Sequence, residues 1–358
     1  MIVIFGGYGT FGAHVARTLA AEGLPVRIAG RDGERAARFA GGLGPGHEGV
    51  AADANDAGSC ARALAGARAA VHCAGPFSAI SAMSLALPEA CLASRAHYVD
   101  IADDRGWLRR LAALDGRFRE RGLAAVGGAS SLPGISGALA SIAARKLPAV
   151  ERARVTLFIG NRNPKGDAAV RAAAGQLGLP FPAPQGTLRG FHGREVVDLP
   201  PPFGRRAVYD WESPELDLFP ALLGARSVRV KVGFEARLAT LSFAGLARLG
   251  PRLGGPFLAG LTPLARRLSF FGHSGGCVQV ELWAPGGARA GAALGAASGA
   301  QRMAALPAAF AARDLYAGSA GRRGFATAYE TLGAEALIGR LTAAGYELVS
   351  ALGSADSP

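Results

Sequence analysis

Ile2–Phe5 is an apolar run with no polar break, and it passes directly into Gly7-x-Gly9-x-x-Gly12. A continuous apolar run marks a strand buried on both faces, and the spacing of Val15 and Leu19 puts both on one helical stripe. The chain therefore predicts a strand, a glycine turn and a helix over residues 11–22, stopped by Gly23. Further apolar runs predict strands at 26–31, 50–53, 69–74, 97–101 and 122–127. The segments between them read as helices at 35–39, 58–64, 81–94 and 108–121, the last a single amphipathic helix. Strands and helices in alternation imply a parallel sheet covered on both faces, an α/β domain of Rossmann type.

Beyond residue 150 the pattern changes to longer strands with turn-rich connections, at 153–159, 227–235 and 278–283. This predicts a second, mainly antiparallel α+β domain inserted before C-terminal helices. A helix is expected at 167–177, while the prolines of 180–185 and 200–203 punctuate loops. The Ala/Gly-rich stretch 288–302 predicts nothing definite; 306–315 and 334–344 read as helices. The expected division is a dinucleotide-binding domain over 1–150, a substrate and dimerisation domain over 151–285, and a segment over 286–352 that packs back on the first. One insertion stands apart: Phe257, Leu261, Leu264, Leu268 and Phe271 form an apolar helical stripe in a strongly basic region. Core, subunit interface, lid and a peripheral membrane contact through 238–271 are its open readings.

Composition narrows the picture. Hydrophobic residues make up 50% of the 358 and charged residues 18%, which suits a packed globule rather than a disordered chain. No apolar run is long enough to span a bilayer and no charged leader precedes the first strand, so a cytoplasmic location is expected. Cys60, Cys73, Cys91 and Cys277 are scattered without metal-ligand spacing, so they read as reduced thiols and no metal is expected. The net charge is +12, but 36 of the 39 basic residues are Arg and no basic block is interleaved with aromatics. No nucleic-acid partner is expected; anionic small molecules or an anionic surface fit the charge.

Candidate chemistry concentrates at the carboxyl ends of the predicted strands. Gly7 would permit the tight turn, Gly9 the approach of a diphosphate, and Gly12 close helix packing, so the loop points to a dinucleotide. At the end of the second strand stands Arg31 rather than an acid, and a guanidinium pairs with a 2′-phosphate, so NADP(H) is the expected cofactor. Asp32 facing the ribose and a solvated Arg31 are the alternatives. Asp53 is placed near the adenine end or at a helix cap. The turn Ala74-Gly75-Pro76-Phe77 should line the nicotinamide, with Phe77 either walling it or packed away. Tyr98 is the candidate proton donor or a sheet residue with a satisfied hydroxyl, and Asp100 the candidate base or orienting group, with Asp103 and Asp104 as alternatives or helix caps. Ser130 and Ser131 would bind a substrate oxygen or cap the following helix, and Asn161, with Arg162 and Lys165, would hold a substrate carboxylate or phosphate. His273 is a further acid/base candidate.

The segments Gly6-Gly-Tyr-Gly-Thr-Phe-Gly12, Ala29-Gly-Arg31, Cys73-Ala-Gly-Pro-Phe77, Tyr98-Val-Asp-Ile101 and Ser131-Leu-Pro-Gly134 together resemble the saccharopine dehydrogenase-like oxidoreductases, whose bacterial relatives include trans-acting enoyl reductases. The resemblance implies an NADP-binding domain with an inserted, mainly β, substrate and dimer domain. By position it adds Tyr8, Thr10 and Phe11 to the diphosphate loop and sets Tyr98 and Asp100 near the reaction centre. It also exposes a departure: saccharopine-forming enzymes have an acid where this chain has Leu132, and commonly a second where it has Ser136. An NADP(H)-dependent oxidoreductase acting on a C=N, C=O or activated C=C bond of a small, less charged substrate other than saccharopine is implied. A homodimer is expected, and a non-catalytic NADP(H)-binding sensor or scaffold is the alternative.

Overall fold

The computed structural model describes residues 1–77, 83–164, 173–248, 250 and 271–349, with 237–239 described by backbone alone. Strands β1 (Ile2–Phe5), β2 (Val26–Gly30), β3 (Glu48–Ala51), β4 (Ala69–His72), β5 (His97–Asp100) and β6 (Ala124–Gly127) come first and alternate with helices. Then follow β7 (Arg152–Ile159), β8 (Pro180–Ala183), β9 (Gly186–Arg189), β10 (Glu195–Leu199) and β11 (Gly204–Asp210). The remainder are β12 (Ser227–Phe234), β13 (Gly276–Trp283), β14 (Arg289–Ala296), β15 (Gly324–Thr327) and β16 (Glu347–Val349). Two compact units result, residues 1–134 with 301–333, and residues 135–300 with 334 onwards.

In the first unit the sheet runs β15-β6-β5-β4-β1-β2-β3. Its pairings are all parallel. This is the doubly wound Rossmann order with one strand added, and the connections reverse direction on either side of β1. In such sheets a ligand sits outside the carboxyl ends of the strands at this reversal, beside the loops after β1 and β4. Ile2, Val3 and Ile4 are fully buried, as expected of a central strand with helices on both faces. The helices Gly33–Gly41, Ala57–Ala63 and Arg105–Ala112 each start on an aspartate, Asp32, Asp56 and Asp104, whose side chain accepts a first-turn amide.

The sequence expectation of one helix over 108–121 is corrected to two, Arg105–Ala112 and Asp115–Glu120. Asp104 brings the start forward by capping. The break falls beside Asp115, whose Oδ1 accepts the amide of Phe325 on β15 at 2.7 Å. The division of the chain also differs from expectation. The first break falls after 134, because the helix Ser136–Ala144 packs on β13 and β14. Residues 324–327 return to the first sheet beside β6, but β16 pairs with β14, so the last described residues belong to the second unit.

The second unit is built on the sheet β10-β11-β12-β7-β13-β14-β16, in which β12 and β7 are parallel and the other pairs antiparallel. Two stretches read as loop or as uninformative are strands. Residues 180–189 form the hairpin β8–β9, and the Ala/Gly-rich 289–296 is β14. Small side chains hide β14 from a periodicity reading, yet they are required: a Cβ on Gly295 would stand 2.6 Å from Cys277 Cβ. The expected helix start at 81 and the stretch 167–172 lie outside the described residues, as do Phe257, Leu261, Leu264 and Leu268 of the apolar stripe; Phe271 is exposed. Among the described residues no helix is long and apolar enough to cross a membrane.

Two histidines tie the first unit's stability to pH. Burial lowers the His72 imidazole to about 3. Burial, then the charges of Arg323 and Arg68, lower His97 to about 4. His97 Nδ1 accepts the amide of Ala124 at 3.0 Å, a bond that needs an unprotonated nitrogen. The unfolded chain takes up these protons near pH 6.5, so stability present above that value is lost as pH falls towards 4. Asp100 and Asp103, whose carboxyls desolvation pushes upward, Asp103 to about 6, work in the opposite sense and offset part of this loss. Urea unfolding should give a lower midpoint at pH 5 than at pH 7, and His97→Gln should shrink that difference.

Candidate functional site

The glycine loop after β1 is held by contacts that no larger residue permits. Gly6 carries φ +73°, so the left-handed position of the turn is Gly6 rather than the expected Gly7. A Cβ there would lie 2.9 Å from the backbone of Cys73 and Ala74, so the loops after β1 and β4 touch at this point. A Cβ on Gly12 would come within 2.2 Å of the Gly6 carbonyl oxygen and one on Gly9 within 3.0 Å, which leaves the face of the loop open to a diphosphate. The helix Gly12–Ala21 has no side-chain cap at Phe11 and no acid in its first turn. The amides of Thr10 and Phe11 have no acceptor among the described residues. Free donors and positive potential at an uncapped helix start suit an anionic ligand.

At the end of β2 stand the residues expected to meet the cofactor ribose. Arg31 is exposed, and its guanidinium has no partner among the described residues. Asp32 is exposed and caps the next helix, its Oδ1 accepting the Arg35 amide at 2.9 Å. Arg35, which the sequence reading passed over, lies with its guanidinium 4.7 Å from the centre of the Tyr8 ring. Tyr8 is fixed in turn: its hydroxyl accepts the Asp32 amide at 3.1 Å, and its ring crosses Gly30, where a Cβ would collide with it at 2.3 Å. Two guanidiniums thus stand at one strand end, one of them braced on an aromatic ring. Asp53, just past β3, accepts the amide of Asn55 at 2.9 Å, and the cap of the next helix is Asp56 instead.

The carboxyl ends of β4, β5 and β6 meet in a buried polar knot. Asp100 is fully buried, and its Oδ1 accepts the amides of Gly128 at 2.8 Å and Ala102 at 3.1 Å. Its Oδ2 accepts the Trp107 indole at 2.7 Å and the Tyr98 hydroxyl at 3.1 Å. The Tyr98 hydroxyl also lies 2.9 Å from His72 Nδ1. Since Tyr98 donates its one proton to the carboxylate, His72 donates from Nδ1, and its buried Nε2 has no hydrogen-bond partner. Burial pushes the Tyr98 hydroxyl up, with the Asp100 charge adding to it, and burial also raises the Asp100 carboxyl against its four donors.

These positions bear on the roles expected for Tyr98 and Asp100. Both are fully buried with their polar atoms engaged, so in this conformation they are positioning residues that join three strand ends. Phe77 is packed away as well, 4.8 Å from the His72 ring centre and 5.3 Å from that of Trp107. Ala74, Gly75 and Pro76 remain half-buried at the edge beside the glycine loop. Asp104 caps a helix, whereas Asp103 is exposed. Neither His72 nor Trp107 was singled out by sequence; the only signal was a polar residue ending an otherwise apolar strand.

Ser130 and Ser131 do not cap a regular helix. Leu132 is extended (φ −119°, ψ 127°) and the α-helix begins at Ser136. Neither serine hydroxyl has a protein partner among the described residues, and Ser131 is 9% exposed. Ser136 and Ser213 donate to the buried carboxylate of Glu215, each at 2.5 Å. Also in the second unit, Asn161 is buried and structural, its amide donating to Glu235 at 2.8 Å and its side chain to the Phe271 carbonyl at 3.1 Å. The same carboxylate accepts the His273 amide and pairs with His273 Nε2 at 3.3 Å. Asn161 and His273 therefore meet at Glu235, while Lys165 lies outside the described residues.

The fold and the loop together define an NADP-binding oxidoreductase architecture. Residues 2–126 match the family model described as the saccharopine dehydrogenase NADP binding domain, so the first unit carries the NADP-binding domain of the saccharopine dehydrogenase-like superfamily. Over 98% of its length the chain superposes on 99% of apo saccharopine dehydrogenase (L-Glu forming) from Saccharomyces cerevisiae, with a TM-score of 0.70 at 11% identity, a likeness of fold. Sorbitol-6-phosphate 2-dehydrogenase from Erwinia amylovora matches 36% of this chain and 70% of its own, at 20% identity and a TM-score of 0.31. 3-Hydroxyacyl-CoA dehydrogenase type-2 from Mycobacterium avium matches 35% and 73%, at 19% and 0.30. No curated protein sequence matches the chain.

Asp100→Asn would turn an amide group towards donors that now meet a carboxylate. It should lower the unfolding free energy by about 3 kcal/mol, and Tyr98→Phe by about 1 kcal/mol, in urea titrations. An unchanged midpoint in Asp100→Asn would contradict the knot.

Proposed function

We propose that the protein is an NADP(H)-dependent oxidoreductase that reduces a C=N, C=O or activated C=C bond of a small substrate. The reading rests above all on the NADP-binding domain and on the glycine cradle that leaves room for a diphosphate beside Arg31 and Arg35. The residues fit the cofactor: free amides at Thr10 and Phe11 for the diphosphate, and two guanidiniums for the 2′-phosphate. When bound, NADPH supplies the hydride.

The chain's own residues have two tasks, to hold the acceptor at the carboxyl edge of the first sheet and to supply a proton. With Tyr98 and Asp100 enclosed, the exposed carboxyl at that edge is Asp103, which we assign as the proton-handling group. Ser130 and Ser131, whose hydroxyls are free of protein partners, would bind a substrate oxygen. Leu132 is 3% exposed and Ser136 bonds Glu215, so neither offers the acid that saccharopine-type substrates meet; this favours a less charged substrate. A cytoplasmic homodimer completes the proposal. Four reduced cysteines suit a reducing compartment.

Arg31→Ala and Arg35→Ala should each weaken NADPH binding by about 10-fold or more and leave NADH binding unchanged, in fluorescence titrations. In assays against imine, carbonyl and enoyl panels, Asp103→Asn should lower kcat by about 100-fold with NADPH affinity intact. Tyr98→Phe should retain most of kcat. Tight NADPH binding with no turnover on any panel would favour the sensor reading, and absence of binding would overturn both.

A further inference from the structure

One end of the second sheet collects more cations than its acids can neutralise. Arg152 and Arg154 on β7 stand in register with Ser227 and Arg229 on β12, and with Trp283 and Glu281 on β13. The Arg154–Arg229 pair sets like charges across two strands, and Glu195 offsets them unequally, at 2.8 Å from Arg154 but 3.8 Å from Arg229. Four cations (Arg154, Arg229, Lys231 and Arg289) share three carboxylates (Glu195, Asp210 and Glu281), and Arg152 stands beside them as a fifth cation.

The carboxylates are shared among these cations, and Glu195, which also lines the pocket, holds Arg154 at 2.8 Å. Glu281, 2% exposed, takes Arg154 at 2.5 Å and Arg289 at 2.6 Å. The fully buried Lys231 takes Asp210 at 2.8 Å and Glu195 at 3.0 Å. Arg229 is left with contacts of 3.4 Å to Asp210 and 3.8 Å to Glu195. Arg152 has no ion pair among the described residues and rests 5.2 Å from the Trp283 ring centre. Arg154 and Arg289 lie over the same indole at 5.3 and 5.8 Å, so the guanidiniums are braced rather than free to swing.

These side chains surround a cavity. Arg152, Arg154, Glu195, Ser227, Arg229 and Trp283 line about 360 Å³, the size of a small-molecule site. We propose that this pocket binds a small phosphate-bearing anion. Arg152 and Arg229 grip it from either side of Ser227, in the planar two-point geometry that guanidinium offers to phosphate. Trp283 holds the Arg152 guanidinium in place. The site depends on no residue of the dinucleotide domain.

The test titrates the full chain with inorganic pyrophosphate at constant ionic strength, read by calorimetry and tryptophan fluorescence. Binding with a Kd at or below about 1 mM is expected. Arg152→Gln and Arg229→Gln should each weaken it by about 10-fold or more. Arg31→Ala and Gly9→Ala, which alters the diphosphate cradle itself, should both leave it unchanged, and this separates the pocket from the cofactor loop even if the cofactor reading fails. Trp283→Phe should remove most of the fluorescence response. Thermal melting checks that the variants are folded. No binding, or binding that persists in both Arg→Gln variants, or loss in Arg31→Ala or Gly9→Ala, overturns the proposal. So does capture by phosphatidate vesicles or a single-stranded oligonucleotide without binding of free pyrophosphate.

Discussion

The approach of the Gly12 α-carbon to the Gly6 carbonyl is the constraint on which the first unit depends. With 2.2 Å between a would-be Cβ and that oxygen, only glycine allows the first helix to start directly above the first strand. That start is what leaves the amides of Thr10 and Phe11 uncommitted and directs the positive end of the helix at the carboxyl edge of the sheet. The other described helix starts that carry aspartate caps are closed to such a ligand; this one has neither a cap nor an acid. The same turn brings Gly6 against Cys73 and Ala74, so the loops after β1 and β4 are set by one contact.

The second organising element is the Asp100 carboxylate, which receives four donors from three segments of chain. A buried charge is tolerable only when so fully bonded, and the cost of breaking the set fixes the ends of β4, β5 and β6 relative to one another. Its consequence for chemistry is indirect. Polar residues that a sequence reading assigns to proton transfer are engaged in holding the edge of the sheet, and the carboxylate that follows them, Asp103, is exposed.

In the second unit the physics differs. The sheet carries ionic residues on one face in numbers that leave cations in surplus, and much of that face is stabilised by guanidiniums stacked on Trp283 and by carboxylates shared between two partners. Such a lattice is rigid and strongly positive, which suits the recognition of a compact anion better than that of an apolar surface.

By itself the sequence determined the Rossmann-type order of the first unit, the glycine loop and the cofactor class. These depend on local signals: uninterrupted apolar strands, glycines at fixed spacing and an arginine where an acid would select the other nucleotide. Tertiary structure alone decided the rest. The break of the helix at Asp115 follows from a bond to Phe325, far away in sequence, and β14 is a strand because small residues fit beside Cys277. Arg35 joins Arg31 only because Tyr8 folds across Gly30, and Tyr98 and Asp100 become structural only because Trp107 and Gly128 reach them. Spacing along a chain records which residues share a strand or a helix face. Which polar groups spend their hydrogen bonds on one another is fixed only when distant segments pack together.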